Sequence, residues 1–121
     1  MAARRRKKTL PKPTVVVVLS TAPTEAVAAR LARALVDERL IACANLVPRV
    51  RSIYRWKGAV QDEGEVLIVM KTDRARLAAL EPRLKALHPY QVPEMLVIPV
   101  GSGHRPYLDW VLAETTVLKS M

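Results

Sequence analysis

The sequence predicts an α+β sandwich whose elements run β-α-β-β-α-β and end in a trailing helix. Three observations predict it. A β-branched run, TVVVVLS at Thr14–Ser20, leads straight into a helical pattern. Two strand-like runs meet at Lys57-Gly58, a two-residue turn signal. A second helix-then-strand pair follows, with Leu77, Leu80, Leu84 and Leu87 ahead of MLVIPV.

Each element has its own local reason. Thr14–Ser20 is apolar on consecutive positions, as a central strand covered on both faces requires. Pro23 sits near a first helical turn and Glu25 favours the positive end of a helix. Val27, Leu31, Ala34 and Leu35 recur at helical spacing, which predicts an amphipathic helix over 23–38. ACANLVP, from Ala42, starts a second strand, which Pro48 bends or bulges. RVRSIYRW continues it, and EVLIVMKT at Glu65–Thr72 returns. Arg49–Lys57 alone spans about 30 Å at roughly 3.3 Å per residue, so this hairpin overhangs a small domain.

A tight turn at Lys57-Gly58 sets Ile53 opposite Asp62, with Arg51 and Arg55 diagonal to it. That pairing neutralises part of the Arg49, Arg51, Arg55 face. Val50, Ser52, Tyr54 and Trp56 then share the other face with Glu63 and Glu65. An overhanging ribbon that displays a Tyr and a Trp needs a second surface to cover it, which implies oligomerisation.

Asp73 caps the second helix, Pro82 inside it predicts a kink or restart, and Pro89 stops it by His88. MLVIPV, from Met95, is the fourth strand, and GSGHRP turns the chain into a short helix opened by Pro106, with Leu108, Val111 and Leu112 inward. Two βα units joined through a hairpin make a ferredoxin-like sandwich, one sheet with helices on one face. Length allows a single domain over 14–121.

The net charge of +9 is unevenly placed. Residues 1–13, MAARRRKKTLPKP, hold six of the 20 basic residues and no acid, so the rest of the chain carries a surplus of only three. The tail reads first as a disordered, solvated arm. It also suits contact with nucleic acid or an anionic surface. A secretory n-region is the third reading, but Val15–Leu19 is five residues where an apolar region of about 7–15 is needed. No apolar run approaches a membrane span. The single Cys allows no intrachain disulfide and fits a reducing, cytoplasmic location.

Several functions are excluded or weakened by pattern. There is no CxxC, HExxH, Gly-rich phosphate loop or GxSxG elbow, and no nucleophile–base pair that spacing singles out, so no enzyme is expected. An RNA-binding version of the fold needs aromatics on the central strands, and Thr14–Ser20 and Glu65–Thr72 have none.

The chemistry-bearing residues each admit a structural reading. His88 ends a helix, where the dipole favours an imidazolium, or else it is a ligand. Cys43 fits a small buried hydrophobe. Tyr54 and Trp56 fit interface packing. Lys71 fits a solvated strand end or an anion hook. Glu94 fits a strand start, and Asp62–Glu65 fits a solvated acidic stretch.

Taken together and in order, LIACANLVPRVRSIYRWKG, EVLIVMKT, LHPYQVPEMLVIPV and YLDWV resemble the CutA divalent-cation tolerance proteins. The resemblance covers about residues 14–115. It implies a homotrimer of ferredoxin-like subunits, similar to PII signalling proteins, with long hairpins packed between subunits. It implies a link to copper and other divalent metals. It places Tyr54, Trp56, Glu65, Lys71, His88, Tyr90 and Glu94 near an intersubunit cleft. Some members carry a Cys at the position of Ser20 and a His at that of Leu87. A metal site here therefore keeps His88, with Glu94 beside it, and is expected to hold copper or another divalent cation weakly. Two alternatives remain. One is a PII-like sensor that binds a small anion in the cleft, with Lys71 as its charge. The other is a nucleic-acid-associated protein that acts through the tail. No membrane partner is expected.

Overall fold

The computed structural model describes residues 14–117. The expectations for the basic tail, and for the last residues of the 14–121 domain, fall outside them. The chain folds as β1 (Val15–Ala22), α1 (Glu25–Asp37), β2 (Cys43–Trp56), β3 (Ala59–Asp73), α2 (Leu77–Leu87), β4 (Leu96–Pro99) and α3 (Arg105–Glu114). The strands form one antiparallel sheet in the order β2-β3-β1-β4. The β-branched run is therefore central, as its composition requires. Its coverage is unequal on the two sides.

Even-numbered β1 residues Val16, Val18 and Ala22 join Val66, Ile68 and Met70 of β3 under Leu31 and Leu35 of α1 and Leu80 and Leu84 of α2. Alternation sends Val15 to the other side, where it packs with Ala42, Leu108 and Val111. So α3 lies on the face opposite α1 and α2, at one end of the sheet. Helices on a single face hold for α1 and α2 only.

Helix α1 starts at Thr24, whose side chain accepts from the Val27 amide at 3.1 Å. Pro23 thus precedes the cap and lies outside the helix. The helix ends without glycine. Arg39 takes φ +58°, its amide donates to Val36 O and the Leu40 amide donates to Leu35 O, both at 3.0 Å. That pair of bonds is a Schellman closure built on an arginine. Asp73 caps a short 3-10 turn, Arg74–Arg76, that leads into α2. The expected restart at Pro82 does not occur, because α2 continues through it to Leu87. Pro82 is exposed, so water can reach the carbonyl it leaves without a donor.

The hairpin overhangs as its length demands. β1 pairs with β3 only as far as Ala22–Val66, and beyond that point β2 and β3 pair with each other alone. A bulge between Val47 and Val50 accommodates Pro48 and gives Arg49 φ +60°. Lys57 and Gly58 both have positive φ, +51° and +80°, as a type I′ turn needs. Ile53 stands opposite Asp62. Arg51 grips Asp62 with two hydrogen bonds, Nε to Oδ1 at 2.8 Å and Nη2 to Oδ2 at 2.7 Å, and holds its carboxyl below the ordinary value.

Candidate functional site

Pro89 disfavours a helical conformation at the residue before it, and His88 is extended at φ −81°, ψ 137°. The break turns the chain from α2 toward the end of β1. β4 pairs with β1 only over Val16–Leu19, and the loop carrying His88 meets β1 beyond that pairing, at Thr21.

Both imidazole nitrogens are engaged there. The Tyr90 amide donates to His88 Nδ1 at 3.1 Å. Nδ1 is therefore an acceptor, the proton lies on Nε2, and Nε2–H donates to Thr21 O at 2.7 Å. The residue is 7% exposed. In this arrangement one ring nitrogen accepts and the other donates, so the side chain joins the loop to β1.

Tyr90 continues the chain of contacts. Its ring centroid is 4.7 Å from that of His88, and its hydroxyl donates to Glu65 Oε2 at 2.5 Å. Glu65, on β3 at the base of the ribbon, is only 8% exposed. Alternation puts Tyr54 on the same ribbon face, diagonal to Glu63, and its hydroxyl donates to Glu63 Oε1 at 2.7 Å. Burial and then the Glu65 hydrogen bond push the Tyr90 hydroxyl well above its ordinary range, and the Glu63 hydrogen bond raises Tyr54 likewise.

One chain thus brings His88, Tyr90, Glu65 and Tyr54 together, and adds Glu63. Strand alternation in the hairpin register already sets Glu63 on this face, although the expected cleft residues do not include it. It does not bring in the remaining residues of the expected cleft. Trp56 is near the ribbon tip, with Lys57 Nζ 5.9 Å above its ring. Lys71 lies near the other end of β3 and donates to Asn45 Oδ1. Each stands six residues from the Val50–Glu65 pair, roughly 20 Å at 3.3 Å per residue. Glu94 is half-buried in the loop before β4.

The donor set does not fit a metal centre within one chain. Among the described residues no three His, Cys, Asp or Glu side chains are placed to hold an ion. His88 has no free lone pair, and the Glu65 oxygen nearest Tyr90 is already hydrogen-bonded. Ser20 is fully buried, with Oγ 3.5 Å from Thr21 O, and Leu87 packs against the main core. Cys43 Sγ lies 3.6 Å from the Tyr107 hydroxyl, apart from this cluster.

Comparison with known proteins gives consistent matches. A profile of the CutA1 divalent ion tolerance proteins matches residues 16–114. The divalent-cation tolerance protein CutA of Thermus thermophilus is 50% identical over 99 residues, which cover 82% of this chain and 96% of that one. Protein CutA of Mus musculus is 46% identical over 91 residues, 75% of this chain and 51% of the mouse protein. The solved structure of the Thermus thermophilus protein superposes with a TM-score of 0.82 at 49% identity, covering 84% of this chain and 99% of that one.

Proposed function

The chain belongs to the CutA1 divalent ion tolerance family, and from that premise we propose that it is a homotrimeric, non-catalytic divalent-cation tolerance protein. Its subunit is ferredoxin-like and its assembly PII-like. The observation that carries the assembly is an uncovered apolar sheet face. On the side away from α1 and α2, Val17, Leu19, Leu67 and Val69 are only half-buried. Leu96 and Ile98 on the β4 edge are 56% and 46% exposed. α3 covers only the Val15 end of this face. A contiguous apolar surface joined to an overhanging aromatic ribbon calls for closed, symmetric association. The lone cysteine supports a reducing, cytoplasmic setting.

Light scattering on the purified protein tests the assembly. The expected mass is three times 13.5 kDa. A monomer at micromolar concentration overturns the proposal. For the tolerance role, growth of cells with and without the protein is compared in graded copper and zinc. Unchanged sensitivity to every divalent cation tried counts against it.

A second reading is a sensor of a small organic anion, and Lys71 favours it. Among the described residues this half-buried ammonium has no carboxylate within ion-pair distance and bonds only to the neutral Asn45 amide. A thermal-shift panel separates the two. Stabilisation by a nucleotide or dicarboxylate that is lost in Lys71→Met supports the sensor. Stabilisation by cations alone supports the first reading.

A further inference from the structure

The family is named for divalent cations, and His88 is the only imidazole in the buried cluster. We infer that His88 is not a metal ligand in this chain but the positioning residue that holds Tyr90 on Glu65.

The argument turns on which ring nitrogen is spoken for. A histidine that binds a metal does so through one nitrogen while the other, as N–H, donates to a carbonyl or carboxylate. The Nε2–H bond to Thr21 O taken alone has that form. The nitrogen left over for a metal would be Nδ1, and that lone pair is occupied by the Tyr90 amide. The donor is two residues on in the same chain, with Pro89 between, so the backbone that carries it has little freedom to swing away. The reverse tautomer fails as well. A proton moved to Nδ1 would face the Tyr90 N–H, donor against donor, and the Thr21 carbonyl would lose its donor.

The two bonds have a joint consequence. His88 is fixed to β1 through Nε2, and Tyr90 is fixed to His88 through its amide. The phenol is thereby aimed at Glu65 on β3, and one side of that buried carboxylate is capped from within the chain. The relay runs from Thr21 through His88 and Tyr90 to Glu65 and ties the loop before β4 to the foot of the ribbon. On the proposed tolerance reading, on which this consequence rests, cations are met without this imidazole.

The first test uses the unaltered, 15N-labelled full-length protein and long-range proton–nitrogen correlation of its two histidines, with His104→Asn for assignment. The expected result is an Nε2–H tautomer at His88 whose two nitrogen resonances stay in place as zinc chloride is added. Movement of either nitrogen to a metal-bound position, or the opposite tautomer, overturns the inference. The second test compares the wild type with His88→Gln by copper and zinc calorimetry and by ultraviolet titration of tyrosine, with Tyr90→Phe to identify the Tyr90 component. Metal affinity is expected to be unchanged and Tyr90 to ionise at lower pH in a variant of wild-type circular dichroism. An affinity loss of about tenfold or more, the least expected when a ligand or its support is removed, overturns the first half. An unmoved Tyr90 titration in a folded variant overturns the second.

Discussion

Tyr90 donates its hydroxyl hydrogen to Glu65 at 2.5 Å, joining two residues 25 positions apart, one in the loop before β4 and the other at the foot of the ribbon. Glu65 is a carboxylate at 8% exposure, so its hydrogen-bond donor has an energetic consequence. The neighbouring Tyr54–Glu63 bond has similar chemistry but stands in solvent.

Tyr90→Phe removes the donor and leaves the buried carboxylate short of one partner. The expected loss is about 1–3 kcal/mol of stability. Tyr54→Phe is expected to stay within about 0.5 kcal/mol, because water replaces the phenol at an exposed site. Urea unfolding of the two variants in parallel checks the contrast. Equal losses would mean that burial does not separate the two bonds.

Alkaline pH should weaken the fold through the same residue. The folded protein holds the Tyr90 hydroxyl above its ordinary value of 10.0, by burial first and then by the Glu65 bond and the charges of Glu65, Tyr54 and Glu63. Raising an acid's value favours its protonated form in the native state. The contribution is thus complete below the unfolded value and is lost as pH rises through the folded one. Urea midpoints between about pH 8 and pH 11, bracketing the ordinary tyrosine value, should fall more steeply for the wild type than for Tyr90→Phe. Parallel slopes would remove Tyr90 from the account.

Trp56→Ala should weaken self-association by about 2 kcal/mol or more if the ribbon's aromatic face is an anchor between copies. The indole is 41% exposed in the single chain, so little intrachain packing is lost. Light scattering over a dilution series reads the midpoint. An unaltered midpoint would place Trp56 on open surface in the assembly.

The ribbon turn offers a stabilising change. Lys57 sits at φ +51°, which asparagine adopts more readily than lysine. Lys57→Asn should raise the melting temperature, by up to ~0.5 kcal/mol in equivalent stability. Gly58→Ala, at φ +80°, should lower it by about 1 kcal/mol, although no atom lies within 4 Å of the added methyl. A neutral Gly58→Ala would show that the ribbon tip is not held in this conformation.

Much of the fold was already legible along the chain, for a local reason. Strand alternation, helical spacing and a two-residue turn depend on neighbours in sequence. That is why Lys57-Gly58 set the register that puts Ile53 opposite Asp62 and brings Arg51 onto its carboxylate. The end of α2 at Leu87 was equally local, since Pro89 acts on the residue before it. The family resemblance carried by the H-P-Y-x-V-P-E and E-V-x-x-x-x-K-T segments needed no more than the order of residues. The work of the site residues was decided elsewhere. His88 meets a carbonyl 67 positions away, and which ring nitrogen meets it depends on where the loop crosses the end of β1. The same holds for α3, whose side of the sheet is fixed by where Val15 and Ala42 offer it a surface. The Arg39 cap of α1 carries no glycine for the eye to catch, and the closure depends on bonds back to Val36 and Leu35. Sequence determined the elements and the ribbon because their causes lie within a few residues. Tertiary structure alone decided that His88 is occupied at both nitrogens, because the Tyr90 amide is a local partner but the Thr21 carbonyl is reached only after the loop has docked on the sheet.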